Sequence, residues 1–170
     1  IVASSGNILL TNTGTITGSG FGLTLGGIAT GSSLASIIGT TTGTVTKAGT
    51  GTWTLSGANT YTSATTISAG TLKLGNALAL GTTAGGTSVT SGASLDLNGF
   101  SSGELALTLN GTGISSGGAL TNSSATAATY SGLITLGSDS SIVANSGNIV
   151  LSNAGTITGA TFGLTLGGTN

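Results

Sequence analysis

Five short bursts set the terms on which this chain can fold: Trp53/Leu55, Leu72/Leu74, Leu95/Leu97, Leu107/Leu109 and Leu164/Leu166, each a pair of large apolar residues separated by one other. A spacing of two puts both members on one face of an extended strand. Between the bursts stand clusters such as SGAN at 56–59, SAG at 68–70 and NGTG at 110–113, residue types that accept the positive φ angles of tight turns. No stretch has the apolar spacing of three and four that an amphipathic helix needs, and the abundance of Gly and β-branched Thr opposes helix further. The expected grammar is strand, turn, strand, turn throughout. In this phase Lys73 points away from Leu72 and Leu74, and Asp96 away from Leu95 and Leu97, so both charges are expected to face solvent.

A longer repeat constrains the architecture. Residues 1–27, IVASSGNILLTNTGTITGSGFGLTLGG, return as IVANSGNIVLSNAGTITGATFGLTLGG at 142–168, with changes only at positions 4, 9, 11, 13, 19 and 20 of the first copy. The pattern thus starts again at position 142, and shorter apolar intervals, such as Trp53 to Leu72 and Leu72 to Leu95, lie within it. Such intervals suit the coils of a solenoid, each burying its apolar positions against the next. Stacked strands lie about 4.8 Å apart, so each residue meets its equivalent on the neighbouring coils, and stacked like charges would repel. That accounts for the supply of neutral Ser and Thr as outward ladders, and for Asn7, Asn12, Asn148 and Asn153 as bridges between turns. The prediction is one continuous all-β segment over 1–170, a parallel β-helix (β-solenoid) whose tandem unit spans 1–141. Neither end shows a polar cap of the kind solenoids use, so the chain is expected to be a window from a tandem array or a subunit that stacks head to tail with its own copies.

Composition narrows the function. The chain has no Cys, His, Met or Pro, and its only charged side chains are Lys47, Lys73, Asp96, Glu104 and Asp139. Imidazole and thiolate, the usual soft-metal ligands and proton-transfer groups, are missing, so no metal, no cofactor and no enzymatic activity are expected. Two Lys without Arg cannot neutralise a row of phosphates, which removes nucleic acid as a partner. No apolar run reaches the length of a membrane span. The Ser/Thr-rich, Cys-free composition points outside the cell.

Residues 45–76, VTKAGTGTWTLSGANTYTSATTISAGTLKLGN, resemble the autotransporter-associated β-strand repeat, also called the passenger-associated transport repeat. The positions that carry the resemblance are Lys47, Gly49, Gly51, Leu55, Gly57, Asn59, Tyr61, Gly70, Leu72, Leu74 and Gly75. Trp53 stands where the repeat usually has Leu, and Ser63 where it usually has Gly. The flanks at 79–99 and 107–120 also look like sequence that accompanies the repeat. The resemblance implies a right-handed parallel β-helix in a secreted or surface-displayed bacterial protein, usually a stalk, adhesin or fibre. A structural segment working by rigidity and end-to-end self-association is the expected function. The alternative is an adhesin passenger recognising a surface glycan or protein.

Smaller signals have plainer readings. Gly113-Ile114-Ser115-Ser116-Gly117 has the spacing of a nucleophile elbow, but no His exists to activate a serine, and a Gly/Ser turn is expected. Asp96, Glu104 and Asp139 are too scattered for a paired-carboxylate site and are expected to be solvated. Asn110 and Asn122 satisfy the Asn-x-Ser/Thr glycosylation rule. Thr-x-Thr recurs at 15–17, 44–46, 52–54 and 156–158, as in ice-binding solenoids, but without one fixed interval; outward Thr is explained by β propensity. Trp53, Tyr61, Phe100, Tyr130 and the paired Phe21/Phe162 are read as packing residues rather than a sugar-binding groove.

Overall fold

The computed structural model describes residues 1–82, 84–103 and 105–169. The described strands pair in parallel and stack as a β-solenoid. The first ladder runs through Val2–Ala3, Leu23–Gly27, Val45–Lys47, Thr65–Ile67, Thr87–Val89, Leu107–Gly111 and the start of Ile134–Ala144. The second runs through Leu9–Leu10, Ser32–Leu34, Thr52–Leu55, Gly70–Leu74, Ala93–Asp96, Leu120–Thr121, the end of Ile134–Ala144 and Leu164–Gly168.

A third side is less regular. Thr15–Ile16 pairs with Ile37–Ile38, and Ala128–Tyr130 pairs with Ile149–Leu151. Between them single backbone bonds carry the stack, from Thr60 N to Ile38 O at 3.0 Å and from Thr82 N to Tyr61 O at 3.0 Å, and Ser102 bridges to Tyr130. Coil length varies around these sides, from a short coil between Trp53 and its partner Leu72 to a long one between Leu107 and its partner Ile134. Among the described residues no α-helix occurs, and one 3-10 turn, Ile114–Ser116, sits in the corner between the first and second ladders.

Four of the five period-two bursts become the core, whereas Leu166 of the fifth is largely exposed. On the second ladder Trp53, Leu72, Leu95 and Leu120 lie one upon another, and on the first ladder Leu25, Lys47, Ile67, Val89 and Leu109 do the same. All of these are buried, and each buried aliphatic side chain contributes about 1.5–3 kcal/mol. Small residues make room for large ones: Ser32, fully buried, lies beneath Trp53. The outward face of the first ladder is a file of hydroxyls, Thr24, Thr46, Thr66, Ser88, Thr108 and Thr135, each partnered with the next. It is a single file and not a grid. Of the four expected asparagine bridges, two form, Gly31 N donating to Asn7 Oδ1 at 2.8 Å and Asn153 Nδ2 donating to Ser131 O at 2.8 Å, whereas Asn12 Oδ1 accepts from Gly14 N of its own turn at 2.6 Å.

One expectation needs correcting. Asp96 does point away from the leucine core, yet it is only 4% exposed. The chain after Leu120–Thr121 folds across it, and Ser123 donates both its backbone N (3.0 Å) and its Oγ (2.6 Å) to the carboxylate. Lys73, its ladder partner, closes the cover with Nζ 3.5 Å from Oδ2. A strand phase separates core from outer face; it does not reveal that a later corner will cover part of the outer face.

Candidate functional site

Residues 45–74 hold four ladder strands, and their glycines show how closely adjacent coils approach. At Gly51 a β-carbon would collide with the carbonyl of Ala29 on the coil beneath, and at Gly70, where φ is +65°, it would collide with the carbonyl of Gly51. Both corners therefore require glycine to let adjacent backbones approach. Leu55, Leu72 and Leu74 fill the interior between them, while Gly49, Gly57 and Gly75 occupy neighbouring turns and strand ends.

Lys47 lies in the inward file of the first ladder, fully buried between Leu25 and Ile67. Its stem packs with the core, and its ammonium donates to the carbonyls of Ala48 (3.0 Å), Gly49 (2.8 Å) and Ala69 (3.0 Å). The three acceptors match the three donors of an ammonium. Asn59 is a second tie across coils, accepting from Ile38 N at 2.8 Å and donating to Ala79 O at 2.6 Å. The Tyr61 hydroxyl shares a 2.6 Å hydrogen bond with Thr65, and Trp53 Nε1 donates to Gly26 O at 2.9 Å. The motif residues thus converge on the interior and its corners, where they hold coils to one another.

Burial gives these groups a pH signature. It lowers Lys47 from 10.5 to about 8, so between those values the unfolded chain keeps a proton that the folded chain has released. By linkage its contribution is fully present above 10.5 and lost as pH falls toward 8. Tyr61 is pushed from 10.0 to about 12 by burial, against an opposing hydrogen bond from Thr65, and burial pushes Tyr130 up further. Their stabilising contributions are complete below pH 10 and fade as pH climbs through those raised values. The denaturant midpoint is expected to climb from pH 8 to about 10 and to fall at higher pH, with the climb absent in Lys47→Met. A flat profile in the parent chain across that range would mean the ammonium is solvated.

The other candidates are not brought together. Asp139 is exposed, and its Oδ1 accepts from Gly163 N at 2.7 Å. Asp96 is held by Ser123 and Lys73 and also accepts from Asn98 N at 2.9 Å, and Glu104 lies outside the described residues. Among the described residues no group of three or more His, Cys, Asp or Glu could hold a metal ion. Residues 113–117 form the expected corner turn, with Ser115 and Ser116 at positive φ. Trp53, Tyr61 and Tyr130 are fully buried as packing residues, Tyr130 donating its hydroxyl to Leu105 O at 2.8 Å, but the expectation fails for the pair Phe21 and Phe162, which are 76% and 41% exposed on the terminal coils. Asn110 is half-buried with Nδ2 donating to Val89 O at 2.9 Å. Asn122 is fully buried, and the two hydrogens of its Nδ2 are shared among three carbonyls, so the folded chain leaves no space for a glycan there.

One hollow has no signature in the sequence. Thr71, Ser94, Asp96, Thr121 and Asn145 line it beside Ile114 of the corner turn. Its polar groups largely serve one another: Asn145 Nδ2 donates to Thr121 Oγ1 at 2.6 Å, and Ser94 Oγ donates to Gly118 O.

Residues 45–74 match the passenger-associated-transport-repeat family. Over 136 residues the chain is 36% identical to an adhesin, the BmaC autotransporter of Brucella suis biovar 1 (strain 1330). That match covers 79% of this chain and 4% of the relative, so the chain spans a small fraction of that protein's length. No solved structure matches the chain.

Proposed function

Because the chain belongs to the passenger-associated-transport-repeat proteins of the bacterial surface, we propose that it is a structural segment of an extracellular fibre, stalk or surface layer. It acts by rigidity and by end-to-end continuity with further copies of itself. The observation that carries this reading is the pair of parallel ladders that stack coil upon coil over a continuous, mostly apolar interior. In such a rod each coil is stabilised by its neighbours, and a near-neutral outer face avoids repulsion between stacked equivalents. We assign it no catalytic role, since the chain has no His or Cys and its described carboxylates are already bonded within the fold.

The second reading, an adhesin passenger that recognises a surface glycan or protein, is favoured by the relative named as an adhesin. Electron cryo-microscopy of a polypeptide carrying several tandem copies of residues 1–141 tests the choice. Continuous filaments with a layer line near about 4.8 Å would support the structural reading. Discrete short rods that bind immobilised glycans would overturn it in favour of the adhesin.

A further inference from the structure

The coil built by residues 1–27 occurs twice, and its two copies sit in different surroundings. Both fold in one register: Val2 lies on Gly26 and Ala3 on Gly27, as Val143 lies on Gly167 and Ala144 on Gly168. They differ in which face is covered. Ile1 is 42% exposed, whereas its counterpart Ile142, resting on Leu120, is 4% exposed. Leu25, beside Lys47, is fully buried, whereas its counterpart Leu166 is 69% exposed. A coil whose apolar residues are covered on one face in one copy, and on the other face in the other, is built for a neighbour on both sides.

The registers also fix how far one unit winds. From Ala3 the first ladder steps to Gly27, and from Leu25 on that same coil it steps to Lys47, Ile67, Val89, Leu109 and Leu136, six coils in all. The counterpart of Val2 is not on that ladder: Val143 lies further along the strand Ile134–Ala144 and rests on Thr121 of the second ladder. The same displacement recurs elsewhere. Leu10 is on the second ladder beside Leu34, but its counterpart Leu151 is on the third side beside Tyr130. Thr15–Ile16 is on the third side, but Thr158, next to their counterparts, bridges to Thr135 on the first ladder. One unit, from position 1 to the restart at 142, therefore winds six coils and one side.

We propose that this coil is a seam at which units equivalent to 1–141 join in one polypeptide, each unit turned about the rod axis by one side relative to the last. The neighbour of Leu166 is then a segment like Val45–Lys47, and the neighbour of Leu9 a segment like Ala128–Tyr130. Covalent continuation fits better than docking of separate chains, because residues 1–27 of one copy and 142–168 of another claim the same place, and one coil would have to peel away. The consequence is a display rule. A surface feature such as Phe21 returns in the next unit roughly a third of a turn around and about 30 Å along the rod. Any recognition patch is thereby presented on three sides in succession.

This inference rests on the rod reading, and its test separates the two. The protein is made as the present chain and as an extended chain in which residues 28–168 follow Gly168 again. In the present chain Leu25→Asp is expected to lower the denaturant midpoint strongly, and Leu166→Asp to leave it unchanged. In the extended chain Leu166→Asp becomes damaging, and the amides of 149–151 and 164–168 gain about tenfold or more protection from hydrogen exchange over the present chain. Spin labels on Thr24→Cys and Thr165→Cys should then give the same separation as labels on Thr165→Cys and its appended counterpart, and exceed the purely axial rise of about 30 Å. If Leu166→Asp stays silent in the extended chain, or the label pairs are collinear with the axis, the seam is wrong while the rod survives. Loss of cooperative folding in the unaltered present chain would remove the rod reading itself.

Discussion

Replacing Trp53 by alanine is expected to destabilise the protein by about 3–5 kcal/mol, the range for emptying a buried aromatic site. The indole is fully buried, stacked between Ser32 and Leu72, and its Nε1 donates to Gly26 O at 2.9 Å. Ser32 cannot fill the void, and the coil spacing is set by backbone bonds along both ladders, so the walls have little freedom to collapse. The variant also leaves the Gly26 carbonyl without its indole donor, a further loss of about 1 kcal/mol. Trp53→Leu, which restores the residue usual in the repeat, should lose much less because an aliphatic side chain continues the file of Leu72, Leu95 and Leu120. Trp53 is the sole tryptophan, so the measurement is denaturant unfolding followed by far-ultraviolet circular dichroism. An unchanged midpoint for Trp53→Ala would contradict the interior described above.

The inward file containing Trp53 was legible from the sequence because alternation alone selects a face, and the leucine bursts all fall on the side it predicts. Alternation failed for Asp96, whose burial depends on Ser123 arriving from the next coil. It was also silent about Lys47. That residue follows Val45 at the inward spacing of two, yet only the carbonyls of Ala48, Gly49 and Ala69 make an ammonium tolerable there. The repeat at 142–168 was plain as a string, but the turn by one side was not. It depends on summing coils of unequal length, short between Trp53 and Leu72 and long between Leu107 and Ile134. It depends also on the strand Ile134–Ala144 passing from the first ladder to the second without a break. Neither quantity is local, so no pattern of adjacent residues records it.

Asn122→Asp should be nearly as damaging as the loss of Trp53, although it changes no volume. Asn122 is fully buried and ties together three coils: Gly99 N (2.9 Å) and Ser124 N (3.3 Å) donate to its Oδ1, while its Nδ2 donates to Thr126 O (2.9 Å), Gly147 O (3.0 Å) and Asn148 O (3.0 Å). A carboxylate would keep both accepted bonds but turn a negative oxygen toward three carbonyl oxygens. Leaving a buried charge uncompensated costs about 3–5 kcal/mol. The sign of the pH dependence follows from the same geometry. Burial among acceptors favours the protonated acid, raising its folded-state pKa above the unfolded value of about 3.9. The variant should therefore approach parent stability below about pH 4 and lose ground as pH rises through the raised pKa. Denaturant midpoints for both proteins at pH 3.5 and pH 7, values bracketing that range at roughly the carboxylate pKa and well above it, provide the check. A deficit equal at both pH values would mean that the asparagine acts only by its shape, and the hydrogen bonds that its amide donates to the three carbonyls would lose their place in the account of how the coils are held.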